Sequence, residues 1–135
     1  MNLNKLLLTL LSLLQISNTP TGTYCGTKTV FGETINGLVN IKSTELLDFS
    51  ISGDFTISCV DEQYKLDGSN VIMTGIDTEG DCLHDALTDN KITLSSIVYD
   101  SQTNQIDVTV KYSIATIDIL LTTSGCNVQY EWTLK

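Results

Sequence analysis

The chain has 135 residues, among them 7 lysines, no arginine and 16 aspartates or glutamates, for a net charge of −9. With its few basic side chains scattered, it is excluded from the counterion-release binding that nucleic acid requires and from docking on anionic lipid headgroups. The length suits one ordinary domain with a real core and leaves no room for a second.

In chain order, an export signal comes first. Lys5 supplies a positive charge, and Leu6 to Leu14 form an apolar run broken only by Thr9 and Ser12. The run ends at Gln15, short of the ~20 residues that a membrane-spanning helix needs, so it reads as a secretory signal peptide. Residues 1–19 are assigned to the signal and 20–135 to a single mature domain, with the new N-terminus near Asn18 to Thr21. The mature chain is expected outside the cytosol, without membrane insertion, and loss of Lys5 takes its net charge to −10.

Export gives meaning to Cys25, Cys59, Cys82 and Cys126, an even number spread through the chain. In an oxidising compartment these predict two disulfides, with three pairings open. No C-x-x-C occurs and His84 is the only histidine, so the ligand spacing of a zinc site is missing; neither a metal nor a cofactor is expected.

High Thr, Ser, Ile and Val content, punctuated by Gly, Asp and Asn, predicts strands joined by short turns. Leu47, Phe49 and Ile51, then Phe55, Ile57 and Cys59, keep odd numbers while polar residues take the even ones. A three-residue loop at Ser52-Gly53-Asp54 then sets Ile51 against Phe55 and Phe49 against Ile57, the alternative being one continuous strand kinked at Gly53. The turn Asp67-Gly68-Ser69-Asn70 places Leu66 opposite Val71 and Tyr64 opposite Met73. Asp81 to Asn90 is the one helical candidate, with Asp81 as its cap, an apolar stripe of Leu83, Ala86 and Leu87, and Cys82 as a staple to the sheet. A third hairpin at Ser101 to Thr103 turns Leu94 and Val98 inward on one side and Ile106, Val108, Val110, Tyr112 and Ile114 on the other. The apolar phase then switches to Ala115, Ile117, Ile119 and Leu121 without Gly or Pro, which predicts a β-bulge bending one long strand. The fold class is therefore all-β: an antiparallel meander forming a small barrel or a bent β-sandwich, with one short helix near residues 81–90.

Motifs for catalysis are weak throughout. His84 stands two residues from Cys82, but positions i and i+2 diverge on a helix and a bridged sulfur offers no thiolate, so His84 reads as an exposed helix residue. The acidic loop Asp77-Thr78-Glu79-Gly80-Asp81 opens like a calcium loop; counting from Asp77, the sixth position is Cys82 instead of Gly and the twelfth is Thr88 instead of Glu. Among the carboxylates Asp118, between Ile117 and Ile119, comes nearest to an apolar setting, yet alternation turns it to solvent. Nucleophile elbows, phosphate-cradling glycine loops and paired-histidine zinc motifs are all missing. The chain is expected not to be an enzyme. Its aromatics, Tyr24, Phe31, Phe49, Phe55, Tyr64, Tyr99, Tyr112, Tyr130 and Trp132, are spread over nearly every predicted strand. If the sheet closes, Phe49, Phe55, Tyr64 and Tyr112 are the candidates to line a space for an apolar ligand.

Gly22-Thr23-Tyr24 near the mature start, the hairpin meander, the cysteines and the signal peptide together resemble the calycin class of lipid-carrying barrels, which includes the lipocalins. The chain departs from the lipocalin opening at Tyr24, where that pattern has Trp, and it has no Arg for the closing contact with that aromatic. The resemblance implies a secreted, non-enzymatic carrier holding a small hydrophobic molecule inside a β-barrel. The competing expectation is an extracellular module that meets another protein and holds no internal ligand.

Overall fold

The structure, a computed structural model, describes residues 19–126. The signal-peptide reading, Tyr130 and Trp132 lie outside the described residues. Eight strands close into one antiparallel barrel in which each lies beside its neighbour in sequence. They are β1 (Gly22–Val30), β2 (Glu33–Ile41), β3 (Leu46–Ser52), β4 (Thr56–Asp67), β5 (Asn70–Met73), β6 (Ile92–Asp100), β7 (Gln105–Tyr112) and β8 (Ala115–Thr122), with helix α1 (Cys82–Asp89) between β5 and β6. The meander thus takes the barrel form and not the bent sandwich. Up-and-down order places the β1–β2, β3–β4 and β7–β8 turns at one end, here called the upper end, together with the α1 connection. The β2–β3, β4–β5 and β6–β7 turns form the lower end.

Alternation along each strand sends one set of side chains inward. Leu47, Phe49, Ile51, Ile57, Ile106, Val108, Val110, Ile119 and Leu121 are each at most 1% exposed. An eight-stranded barrel is just wide enough for side chains to fill, and these fill its middle. The lower end is closed by tyrosines. Tyr24 Oη donates to Asn104 Oδ1 at 2.7 Å, Tyr99 Oη reaches the same oxygen at 3.3 Å, and the two rings meet edge to face with centroids 6.4 Å apart. Asn104 thus ties the two tyrosines together across the lower end.

Closure between β1 and β8 rests on the register pair Cys25↔Thr122 and needs a glycine beside it. A Cβ on Gly26 runs into the backbone carbonyl of Leu120, so no larger residue lets β8 come this close. A helical turn over 123–126 then lays Cys126 on Cys25, forming one disulfide (Cα–Cα 4.8 Å), while Cys59 and Cys82 form the other (Cα–Cα 5.8 Å).

Register explains where the sequence patterns mislead. The β3–β4 pairing is Ile51↔Ile57 and Phe49↔Cys59, so the loop is Gly53 to Phe55, and Phe55 sits in the turn instead of opposite Ile51. The shift is by two residues, which preserves the inward phase and leaves the odd-numbered set buried. The turn after β4 keeps its predicted pairs, Leu66↔Val71 and Tyr64↔Met73.

In β6 a bulge between Leu94 and Ser96 flips the phase. Ile97 and Tyr99 therefore point inward in place of Val98, while Leu94 still packs against the core. The phase switch after Ile114 is no bulge in one long strand. Tyr112 pairs with Ala115 across a two-residue turn, making β7 and β8 separate hairpin partners. Ser113 supplies the turn by adopting φ 59°, and Ile114 at its tip is 97% exposed instead of inward.

Helix α1 forms where Asp81 predicts it: the Asp81 carboxylate accepts from the His84 N–H, and Leu83 and Leu87 are buried against the barrel. His84 is half-buried and not free on the surface, because its Nδ1–H donates to the Ile76 carbonyl at 2.7 Å. The acidic loop before it is the turn that leads into this helix, with Asp85 Oδ1 accepting from the Gly80 N–H at 3.1 Å.

Candidate functional site

The four aromatic candidates divide by height in the barrel. Phe49 is 1% exposed in the filled middle. Tyr64 lies at the lower end, where its hydroxyl donates to the Ser43 carbonyl at 2.7 Å beside a cleft of about 230 Å³. Only Phe55 and Tyr112 come together, with centroids 5.1 Å apart at the upper end. They form one side of a cleft of about 170 Å³ whose floor includes Ile35 and Ile117. A further cleft of about 200 Å³ lies where β5 and β6 share only the register pair Asn70↔Val98.

Turn geometry sets what surrounds the upper mouth. The β1–β2 turn puts Phe31 at the rim with φ 52°, and its side chain is 86% exposed. Ile114, on the neighbouring β7–β8 turn, lines the same cleft at 97% exposure. Left-handed backbone at a bulky aromatic is strained, and two large apolar side chains in water beside one cleft form a patch rather than isolated surface residues. Sequence periodicity misses both, since Phe31 precedes a Gly as any turn residue does, and Ile114 reads as the last inward position of a strand. The available signal is a large apolar residue next to turn-forming positions.

Two carboxylates complete this rim. Glu33 and Asp54 both line the mouth, and a hydrogen bond between their side chains raises the Glu33 pKa above the ordinary value, with partial desolvation and the repulsion of Asp54 acting in the same direction. None of the described residues lining this mouth is basic.

A third carboxylate is buried, and alternation mislabels it. In β4 the pairing shifts between Leu47 and Phe49, and Asp61 adopts φ 56° there. The bulge is held by Asp48, which accepts from the Asp61 N–H at 3.0 Å, and by Lys42, which meets Asp48 at 3.2 Å and Asp61 at 2.8 Å. Its effect is to turn Val60 out, 66% exposed, and Glu62 in, 5% exposed. Glu62, and not Asp118, is thus the carboxylate in an apolar setting; Asp118 is exposed and accepts a hydrogen bond from Thr109. Glu62 Oε1 accepts from the Leu83 N–H at 2.8 Å, so it docks the helix N-terminus onto the barrel. Burial first, and then Asp81 beside it, push the Glu62 carboxyl above the ordinary carboxylate range, although the Leu83 N–H pulls the other way.

Glu62 therefore has a pH signature. Its raised value means that the folded state keeps a proton that the unfolded chain has already released, so its contribution to stability is complete below about pH 4.3 and is lost as pH rises through the raised value. Glu62→Gln keeps an oxygen for the Leu83 N–H and removes the titration. Urea unfolding between pH 4 and pH 7 should show wild type losing stability relative to this variant as pH rises; parallel curves would refute the assignment.

Glu62 also stands near Cys59 and Cys82, with one ligand atom of each within 4.8 Å of the others. Both sulfurs are joined in the disulfide, so this trio offers no thiolate to a metal. No helix among the described residues is long and apolar enough to cross a membrane. Compared with known protein families, curated proteins and solved structures, the chain matches none.

Proposed function

We propose that this is a secreted, non-enzymatic binding protein whose ligand is a small hydrophobic molecule held at the upper mouth of the barrel. The observation that carries the reading is the pair Phe31 and Ile114, kept in water at 86% and 97% exposure on neighbouring turns that line one apolar cleft. Exposed apolar groups on strained turns cost stability, and a binding role is the reason such groups persist. The leader-like N-terminus and two disulfides, typical of oxidising compartments, support export.

This reading retains the ligand class that the calycin resemblance implies and shifts its position. Phe49 and its neighbours occupy the middle of the barrel, leaving the rim to the ligand. At about 170 Å³ the cleft is smaller than the roughly 300–1,000 Å³ of pockets that enclose drug-sized ligands, so a longer ligand extends past the rim.

Phe31→Asn and Ile114→Ser test the reading with little risk to the fold, because both side chains are exposed and Asn tolerates the left-handed turn at position 31. Titration with a neutral naphthylamine dye should give about ten-fold weaker binding for the double variant, the loss of one or two good apolar contacts, with an unchanged or raised melting temperature. Equal dye affinity in both proteins overturns the proposal. So does a secreted protein that takes up no dye and yields no bound apolar molecule in native mass spectrometry.

A further inference from the structure

We infer that the upper mouth selects amphiphilic cations: an apolar tail between Phe55, Tyr112 and Ile117, and an amine head against Glu33 and Asp54. The inference rests on the proposed ligand site and adds the sign of the ligand's charge.

The cleft is two-sided in its chemistry. Its inner part is aromatic and aliphatic, which suits a tail, while both ionisable groups other than Tyr112 that line it are acids. Glu33 and Asp54 come from different hairpins, β1–β2 and β3–β4, and both line the one cleft at the edge of its apolar surface. Two carboxyl groups at one mouth repel one another when both are ionised, and a cation between them removes that repulsion. An anionic head faces the same two groups and the negative charge of the whole chain, −9, with no basic side chain among the lining residues to offset it. Phe31 and Phe55 add ring faces to which an ammonium is attracted and a carboxylate is not.

The same geometry argues for an organic cation over a metal ion. Calcium takes six to eight oxygen ligands, and magnesium a near-ideal octahedron. Here two side-chain carboxyls border an apolar cleft, an arrangement that leaves a bare ion under-coordinated but suits a molecule with an apolar body. The rim carboxylates are exposed, so their effect is on preference between head groups and is modest in size.

The test compares octylamine, octanol and octanoate, three ligands with one tail, by displacement of the neutral naphthylamine dye or by calorimetry at neutral pH. Octylamine should bind about three- to ten-fold tighter than octanol, and octanoate weakest. In Glu33→Gln with Asp54→Asn the three affinities should converge, whereas Glu45→Gln with Asp67→Asn, which removes as much charge at the lower end, should keep the order. Octanol equal to octylamine in wild type, or an order unchanged in the rim variant, overturns the cation preference while leaving the apolar site standing. Failure of all three ligands and the dye to bind overturns the site as well.

Discussion

Removing the Cys25–Cys126 disulfide should cost this domain more than any other single covalent change. The bridge spans 101 residues, against 23 for Cys59–Cys82. On loop-closure entropy alone, the first constrains the unfolded chain by about 4.7 kcal/mol and the second by about 3.4 kcal/mol at 25 °C. Structure widens this gap. Cys25–Cys126 sits on the β1–β8 closure, where Cys25↔Thr122 is the register pair and Gly26 lies against the Leu120 backbone. Loss of the tie therefore loosens the barrel at the place where strands of greatest sequence separation must meet. Cys59–Cys82 instead fastens helix α1 to β4, which Glu62 also holds through the Leu83 N–H. Denaturant unfolding of the two double-alanine variants should rank the β1–β8 variant as the less stable by at least ~1 kcal/mol. The reverse order would show that closure depends chiefly on the core.

The second large effect is expected at Phe49. Its ring is 1% exposed and pairs across β3 and β4 with Cys59 and across β2 and β3 with Val39. Phe49→Ala should destabilise by about 3–5 kcal/mol, from lost burial together with the space left in the centre of the barrel. It should leave dye binding at the upper mouth within about two-fold, provided the measurement is made where the variant is folded. A ligand seated inside the barrel predicts the opposite pattern, in which enlarging the interior changes affinity strongly. The experiment therefore decides between a filled barrel with a ligand at its rim and a hollow one with a ligand in its interior.

Local pattern reached a good part of this fold because β-structure writes its burial with period two. The runs Leu47-Phe49-Ile51 and Ile106-Val108-Val110 identify strands and their inner faces without reference to any partner, and Asp81 identifies the start of helix α1 by its cap. Where alternation breaks, the sequence is ambiguous. A phase switch is equally consistent with a bulge inside a strand or a tight turn between two strands. Bulges do account for Glu62 and Ile97, whereas a turn accounts for Ile114, because backbone geometry at Asp61, Ser96 and Ser113 depends on which neighbour each strand pairs with.

For the same reason the candidate site was only half legible. Phe55 and Tyr112 are separated by 57 positions and meet because two hairpins of a closed sheet end at the same height. Phe49 and Tyr64 share their chemistry but stand at other levels of the barrel. By itself, the sequence determined the class of fold, the acidic surface, the inner faces of most strands and the helix cap, since these follow from local propensity and composition. Only the tertiary structure decided the cysteine pairing, the inward turn of Glu62 and the gathering of Phe31, Phe55, Tyr112, Ile114, Glu33 and Asp54 at one mouth. Those depend on register and closure, which are collective properties of eight strands and are not encoded in any one of them.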